Sequence, residues 1–120
     1  MAKIKLKRVY LPAARSDGYR ILVDRVWPRG VTKAKAAVDE WLRDVAPSDA
    51  LRKWFGHERE RWPEFKRRYL KEITANKAEV QKLVDAVKAH PNVTLLFGAH
   101  DEECNQAVVL SLYLKRRLGR

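Results

Sequence analysis

The sequence has one cysteine in 120 residues. It can form no internal disulfide and no multi-cysteine metal site. No apolar run is long enough to cross a bilayer, so no membrane contact is expected. The opening Met-Ala-Lys-Ile-Lys-Leu-Lys lacks the apolar core of a secretion signal. These absences point to a reduced, cytoplasmic protein. His57, His90 and His100 are dispersed, and none stands four residues from another. No metal site and no cofactor are therefore expected. Repeats and low-complexity segments are absent. So are the signatures of RNA-recognition modules, zinc fingers and basic zippers. Acidic residues are scarce beside basic ones, 15 against 26, which leaves a net charge of +11. That excess favours polyanions through counterion release. The charges are spread along the chain, so any nucleic-acid binding should be weak, sequence-independent and salt-sensitive.

What remains fits one domain, residues 1–120, with enough apolar content, 46%, for one modest core. The stretch Val23-Asp24-Arg25-Val26-Trp27-Pro28-Arg29-Gly30 stands out. It follows Ile21 and Leu22, which read as a buried strand. At its end come a carboxylate, two guanidiniums and a Trp, closed by Pro and Gly. In α/β folds ligands sit just beyond the carboxyl ends of strands. An Arg there can grip a phosphate or carboxylate through two parallel hydrogen bonds, oriented by an adjacent Asp.

Residues 3 to 9 alternate Lys3, Lys5 and Lys7 with Ile4 and Leu6, an edge-strand pattern. Asp17-Gly18 marks a turn. Residues 20 to 24 read as a central strand. Thr32 to Ala36 reads as one helical turn. Val38 to Val45 fits a short strand or a helix, with Trp41, Leu42 and Val45 tilting the balance to helix. Ser48 is an N-cap, and Gly56 ends the helix it starts. A second helix starts at Trp62-Pro63 and buries Trp62, Phe65, Tyr69 and Ile73. Asn76 to Glu79 resembles a capping box that opens a third, with Val80, Leu83, Val84 and Val87 inward. Residues 93 to 97 form the next buried strand. Asp101 should cap a last helix over 102–118. The expected fold is α/β: a small, mostly parallel sheet with helices packed on it.

If the strands ending at Val23 and Phe97 are parallel neighbours, their exits converge. Asp24, Arg25 and Arg29 then face His100, Asp101, Cys104 and Asn105, and the amides near 101–105 can cradle an anion. Each residue also has a plainer role. Arg25 can bridge a carboxylate structurally. Trp27 can be core or lid, or a platform for the ligand. His57 can simply bond a carbonyl. Cys104 is a nucleophile candidate by its place near a helix start. Glu102 and Glu103 oppose a thiolate, however. A phosphatase cradle would also need Arg at position 110, where Leu110 stands. A packed cysteine is the favoured reading.

Several motifs agree in order and spacing across nearly the whole chain. They are Asp24 to Gly30, Ala46-Pro47-Ser48, Leu51 to His57, Trp62 to Phe65 with Tyr69, and Val93 to Leu96 leading to Asp101-Glu102-Glu103 and Asn105. They resemble the YeaO-like branch of the bacterial domain-of-unknown-function family four-eight-eight. The resemblance implies a small, single-domain, cytoplasmic bacterial α/β protein and brings no established activity. The branch pattern has Lys at position 100 and His at 104 and 106, where this chain has His100, Cys104 and Gln106. A more distant branch carries Cys-His-Arg at that helix start, which Cys104-Asn105-Gln106 echoes in part. Those departures move weight from thiol chemistry to Asp24, Arg25, Arg29, His57, Asp101 and Asn105.

Two functions follow as expectations. In the first, an anion-binding pocket at the strand ends serves an enzyme on a phosphorylated or nucleotide-like substrate. Asp24, His57 and Asp101 would handle protons, and Arg25, Arg29, Trp27, His100 and Asn105 would bind. In the alternative, a non-enzymatic protein binds nucleic acid through a basic face that includes Arg61, Arg67, Arg68, Arg116 and Arg117.

Overall fold

A computed structural model describes residues 3–119. Four strands form one all-parallel sheet in the order β1-β4-β2-β3. They are β1 (Lys3–Arg8), β2 (Tyr19–Leu22), β3 (Glu40–Trp41) and β4 (Asn92–Phe97). The helices are α1 (Lys33–Ala36), α2 (Asp49–Phe55), α3 (Trp62–Ala75), α4 (Lys77–Ala89) and α5 (Gln106–Leu118). The architecture is α/β, as the sequence predicts. No helix among the described residues is long and apolar enough to cross a membrane.

Both faces of the sheet are covered, as parallel sheets require. Alternation decides which residue serves which face. Ile21, Val23, Val93, Leu95 and Phe97 join the larger core with residues of α2 to α5. Leu22 and Leu96 point the other way, to a smaller core closed by Ala36 of α1 and flanked by Trp27, Val31, Val38 and Trp41. Each fully buried Leu or Ile is worth about 1.5–3 kcal/mol. The edge strand β1 carries its lysines outward, and Lys7 reaches Asp17 at 3.0 Å. Arg20 is buried within the β2 run because its polar atoms are all engaged. It pairs with Asp17 and donates to the carbonyls of Ala36 (2.7 Å) and Ala37 (3.1 Å), closing the end of α1.

The local signals place α2 and α3 well. Ser48 accepts from the Leu51 amide at 3.2 Å, and Gly56 takes the left-handed conformation that ends α2. Asn76 opens α4 without the expected side-chain cap; its Nδ2 donates to the Asp44 carbonyl instead.

Two elements differ from expectation. Residues 38–45 form no helix. Glu40–Trp41 is a two-residue strand on β2, and a 3-10 turn, Arg43–Val45, follows. Trp41 is held there because its indole donates to the Asp24 carbonyl at 2.7 Å and its ring meets Trp27 edge-on. The last helix starts at Gln106, not at 102. Asp101 Oδ1 accepts from the amides of Glu103 and Cys104, which folds 101–104 into a turn. Asn105 then caps α5 by accepting from Val108 at 3.1 Å.

Candidate functional site

Strands β2 and β4 are adjacent, and their exits diverge. After β2 the chain runs towards β3 on one side. After β4 it runs to α5, which packs on β1 and β4. A crevice opens where such connections part. It is a cavity of about 700 Å3. Asp24, Arg25 and Arg29 line it from the β2 exit, His57 from the end of α2, and His100, Asp101, Cys104 and Asn105 from the β4 exit. The expected convergence is present. Trp27 lies apart. It follows the opposite face, where its indole donates to the Val31 carbonyl at 2.8 Å and packs in the smaller core.

Asp24 sits deepest among the charged groups. Its Oδ2 accepts from the Gly98 amide at 2.8 Å, and its Oδ1 accepts from the Gln106 side-chain amide. The approach to Gly98 is so close that a Cβ there would lie 2.7 Å from Oδ2, so a side chain at position 98 would push the Asp24 carboxylate aside. Burial pushes the Asp24 carboxyl up to about 6, against the Gly98 and Gln106 hydrogen bonds and the His57 charge, which pull it down. His57 adopts a left-handed backbone, φ 61°, directly after Gly56 at φ 52°. This conformation is uncommon outside glycine, though histidine tolerates it better than most residues. It turns the chain back at the end of α2 and leaves His57 on the cavity rim.

Several groups expected to hold a ligand are engaged within the protein. The Arg25 guanidinium donates to the carbonyls of Pro47 (3.1 Å) and Ala46 (3.0 Å) and stands 3.7 Å from Asp44. It fastens the β2 exit to the segment before α2. Asp101 holds the turn amides and meets Arg59 at 2.9 Å. The Glu103 amide, with that of Cys104 and the Arg59 charge, holds its carboxyl below the usual range. Asn105 spends its oxygen on the α5 cap and its Nδ2 on the Asp101 carbonyl. The amides of Glu103 and Cys104, expected to cradle an anion, are already filled by Asp101. Cys104 is buried, and burial together with Asp101 and Glu103 raises its thiol above the ordinary value. The His100 ring is 3.4 Å from Arg8, whose Nε donates to the Ala99 carbonyl.

Arg29 is different. It is exposed on the cavity rim, and its guanidinium has no hydrogen-bond or ion-pair partner among the described residues. Arg52 joins the lining from α2, held by Asp49 at 3.2 Å. Sequence reasoning missed Arg52, Gln106, Tyr10 and the walls Phe55 and Phe65. Gln106 had a signal, since it is the first residue of the helix after β4 and departs from the family's His. The others had none: they read as ordinary loop, surface and core positions. No group of three or more His, Cys, Asp or Glu among the described residues is arranged to hold a metal ion.

The family model DUF488-N3i, described as "Inactive DUF488-N3 subclade", matches residues 3–120. The chain is 46% identical over 112 residues to the uncharacterized protein YeaO of Escherichia coli (strain K12), covering 93% of this chain and 96% of that one. It is 45% identical over 83 residues to the uncharacterized protein Rv3073c of Mycobacterium tuberculosis (strain ATCC 25618 / H37Rv), covering 68% and 70% of the two chains. No solved structure matches. The β2-exit motif, the β4-exit motif and the cavity between them thus sit in a chain that belongs to the DUF488 family, within the group described as its inactive N3 subclade.

Proposed function

We propose that the protein binds a small phosphorylated or nucleotide-like anion in this cavity and does not transform it. One observation carries the reading: Arg29 is a guanidinium on the rim of a 700 Å3 cavity with no partner among the described residues. A planar guanidinium held free at a pocket mouth is suited to a phosphate or carboxylate. Arg52 and His57 on the same rim add donors. Three points favour binding over catalysis. The Cys104 thiol is raised rather than activated. Both oxygens of Asp24 already accept hydrogen bonds. The matching family group is described as inactive.

The basic-face alternative is less favoured, because four of its five arginines are engaged within the protein, Arg116 being the exception among the described residues. Arg67 and Arg68 pair with Glu64, Arg61 donates to the Trp54 carbonyl, and Arg117 bonds Tyr113 and Gln81.

The test is titration with inorganic phosphate and ribose 5-phosphate, followed by calorimetry and thermal melting, on wild type and Arg29→Ala. A charge-assisted contact is worth about 1.5–3 kcal/mol, so the variant should bind tenfold or more weakly. Its melting temperature without ligand should be unchanged. Absence of binding by wild type, or equal binding by both, overturns the proposal.

A further inference from the structure

The cavity has a chemical direction. Its more buried groups are acceptors, and its free donors are at the mouth. Asp24 and Gln106 are half-buried, whereas Arg29, Arg52, His57 and His100 are exposed. Each carboxylate oxygen has room for two hydrogen bonds. Asp24 has used one on each: the Gly98 amide on Oδ2 and the Gln106 amide on Oδ1. Gln106 is oriented by giving its NH2 to Asp24, because the reverse orientation would set oxygen against carboxylate. Its own Oε1 accepts nothing from the described residues. The inner end therefore keeps acceptor capacity on both carboxylate oxygens and on an amide oxygen. Phe55, Phe65, Pro28 and Pro47 line the space beside it, and Phe55 and Phe65 stack at 4.3 Å. A lining with apolar residues and a few convergent polar groups suits a heterocyclic ring.

We infer that the pocket recognises a heterocycle whose inward edge carries two adjacent N–H donors, as guanine does, with its phosphate at Arg29. The inference rests on the anion-binding reading above and names the ligand class. Two adjacent N–H groups match a carboxylate as a guanidinium fork does. An adenine edge offers one donor beside a ring-nitrogen lone pair. That lone pair would face a carboxylate oxygen, acceptor against acceptor. Sites that leave a buried polar group unmatched in this way discriminate strongly. Asp24 is then the specificity-determining residue, and Gln106 positions it.

The experiment is calorimetric titration of the full chain at pH 7.5 with guanosine, inosine and adenosine 5′-monophosphates and ribose 5-phosphate. The guanine nucleotide should bind at least tenfold more tightly than the adenine one, with inosine, which keeps one donor, between them. Asp24→Asn should abolish that preference, since a carboxamide offers one donor and one acceptor. Equal affinity for all four phosphates overturns the inference but leaves the anion site standing. Tightest binding of the adenine nucleotide also overturns it. No binding of any of them removes both readings. A guanine preference that survives in Asp24→Asn assigns the selection elsewhere and refutes the role of Asp24. Should the variant fail to fold, the wild-type series still decides whether guanine is preferred.

Discussion

Asp24→Asn should make the protein more stable at neutral pH and leave it no more stable in acid. Asp24 ionises near pH 6 in the folded chain, against 3.8 for an unperturbed carboxyl. Burial raises it, so the folded state disfavours the charged form. Between these two values the folded protein binds the proton and the unfolded chain does not. Stability from this group is therefore fully present below the unfolded value and is lost as pH rises through about 6. The displacement corresponds to roughly 3 kcal/mol of destabilisation at pH 7.5. Asparagine removes the charge but offers only one acceptor for the two donors, Gly98 and Gln106, a loss of about 1 kcal/mol. A net gain of roughly 1–2 kcal/mol remains at pH 7.5, and none at pH 4.5, where wild-type Asp24 is already neutral. Urea unfolding of both proteins at pH 4.5, 6.0 and 7.5 measures it. A difference that does not change with pH, or a loss of stability in the variant at pH 7.5, refutes the reasoning. A carboxylate kept at such a cost belongs with function rather than with folding.

Arg25→Ala should lose roughly 2–3 kcal/mol in chemical denaturation, because two carbonyls before α2 lose a charged donor. Arg25→Lys should recover at most half of that, as one ammonium lacks the fork that reaches both. Cys104 should alkylate more slowly at pH 7 than a free cysteine, given its burial and its raised thiol, and Cys104→Ser should leave phosphate affinity unchanged. Rapid alkylation at pH 6 would contradict both statements.

The parts of the fold legible in the sequence are those decided within a few residues. Ser48 and Gly56 bound α2, and Pro63 lies in the first turn of α3, because caps and proline act over one turn. Strand β3 was legible only as one of two options, short strand or helix. It is two residues long and exists through its pairing with Ile21 and Leu22 and through Trp41 reaching Asp24. The start of α5 was misplaced because two Asx residues compete there. Asp101 takes the amides of Glu103 and Cys104 and also meets Arg59, which lies far back in the chain. The strand exits did mark the site, since charge that follows a buried apolar run is visible in sequence. What each charge does was not visible. Arg25 and Arg29 are chemically alike and four residues apart. The carbonyls of Ala46 and Pro47 engage the guanidinium of the first, while nothing among the described residues engages that of the second.

Strand β4 is the last strand along the chain, yet it lies between β1 and β2 in the sheet. Before residues 92–97 arrive, the first two strands share no edge. Pairing Lys3 with Asn92 closes a loop that spans most of the molecule, at an entropic cost on the order of 4 kcal/mol. Although β2 can pair with β3 beforehand, β1 cannot join the sheet, during synthesis, until β4 has left the ribosome. Assembly dominated by so distant a contact is slow relative to helical proteins of this size. Meanwhile the edge lysines of β1 keep the waiting strand from joining another chain. The cavity is framed by the exits of β2 and β4, so it forms in the same event as the sheet. A fragment that stops short of β4 would have no partial site to offer a ligand.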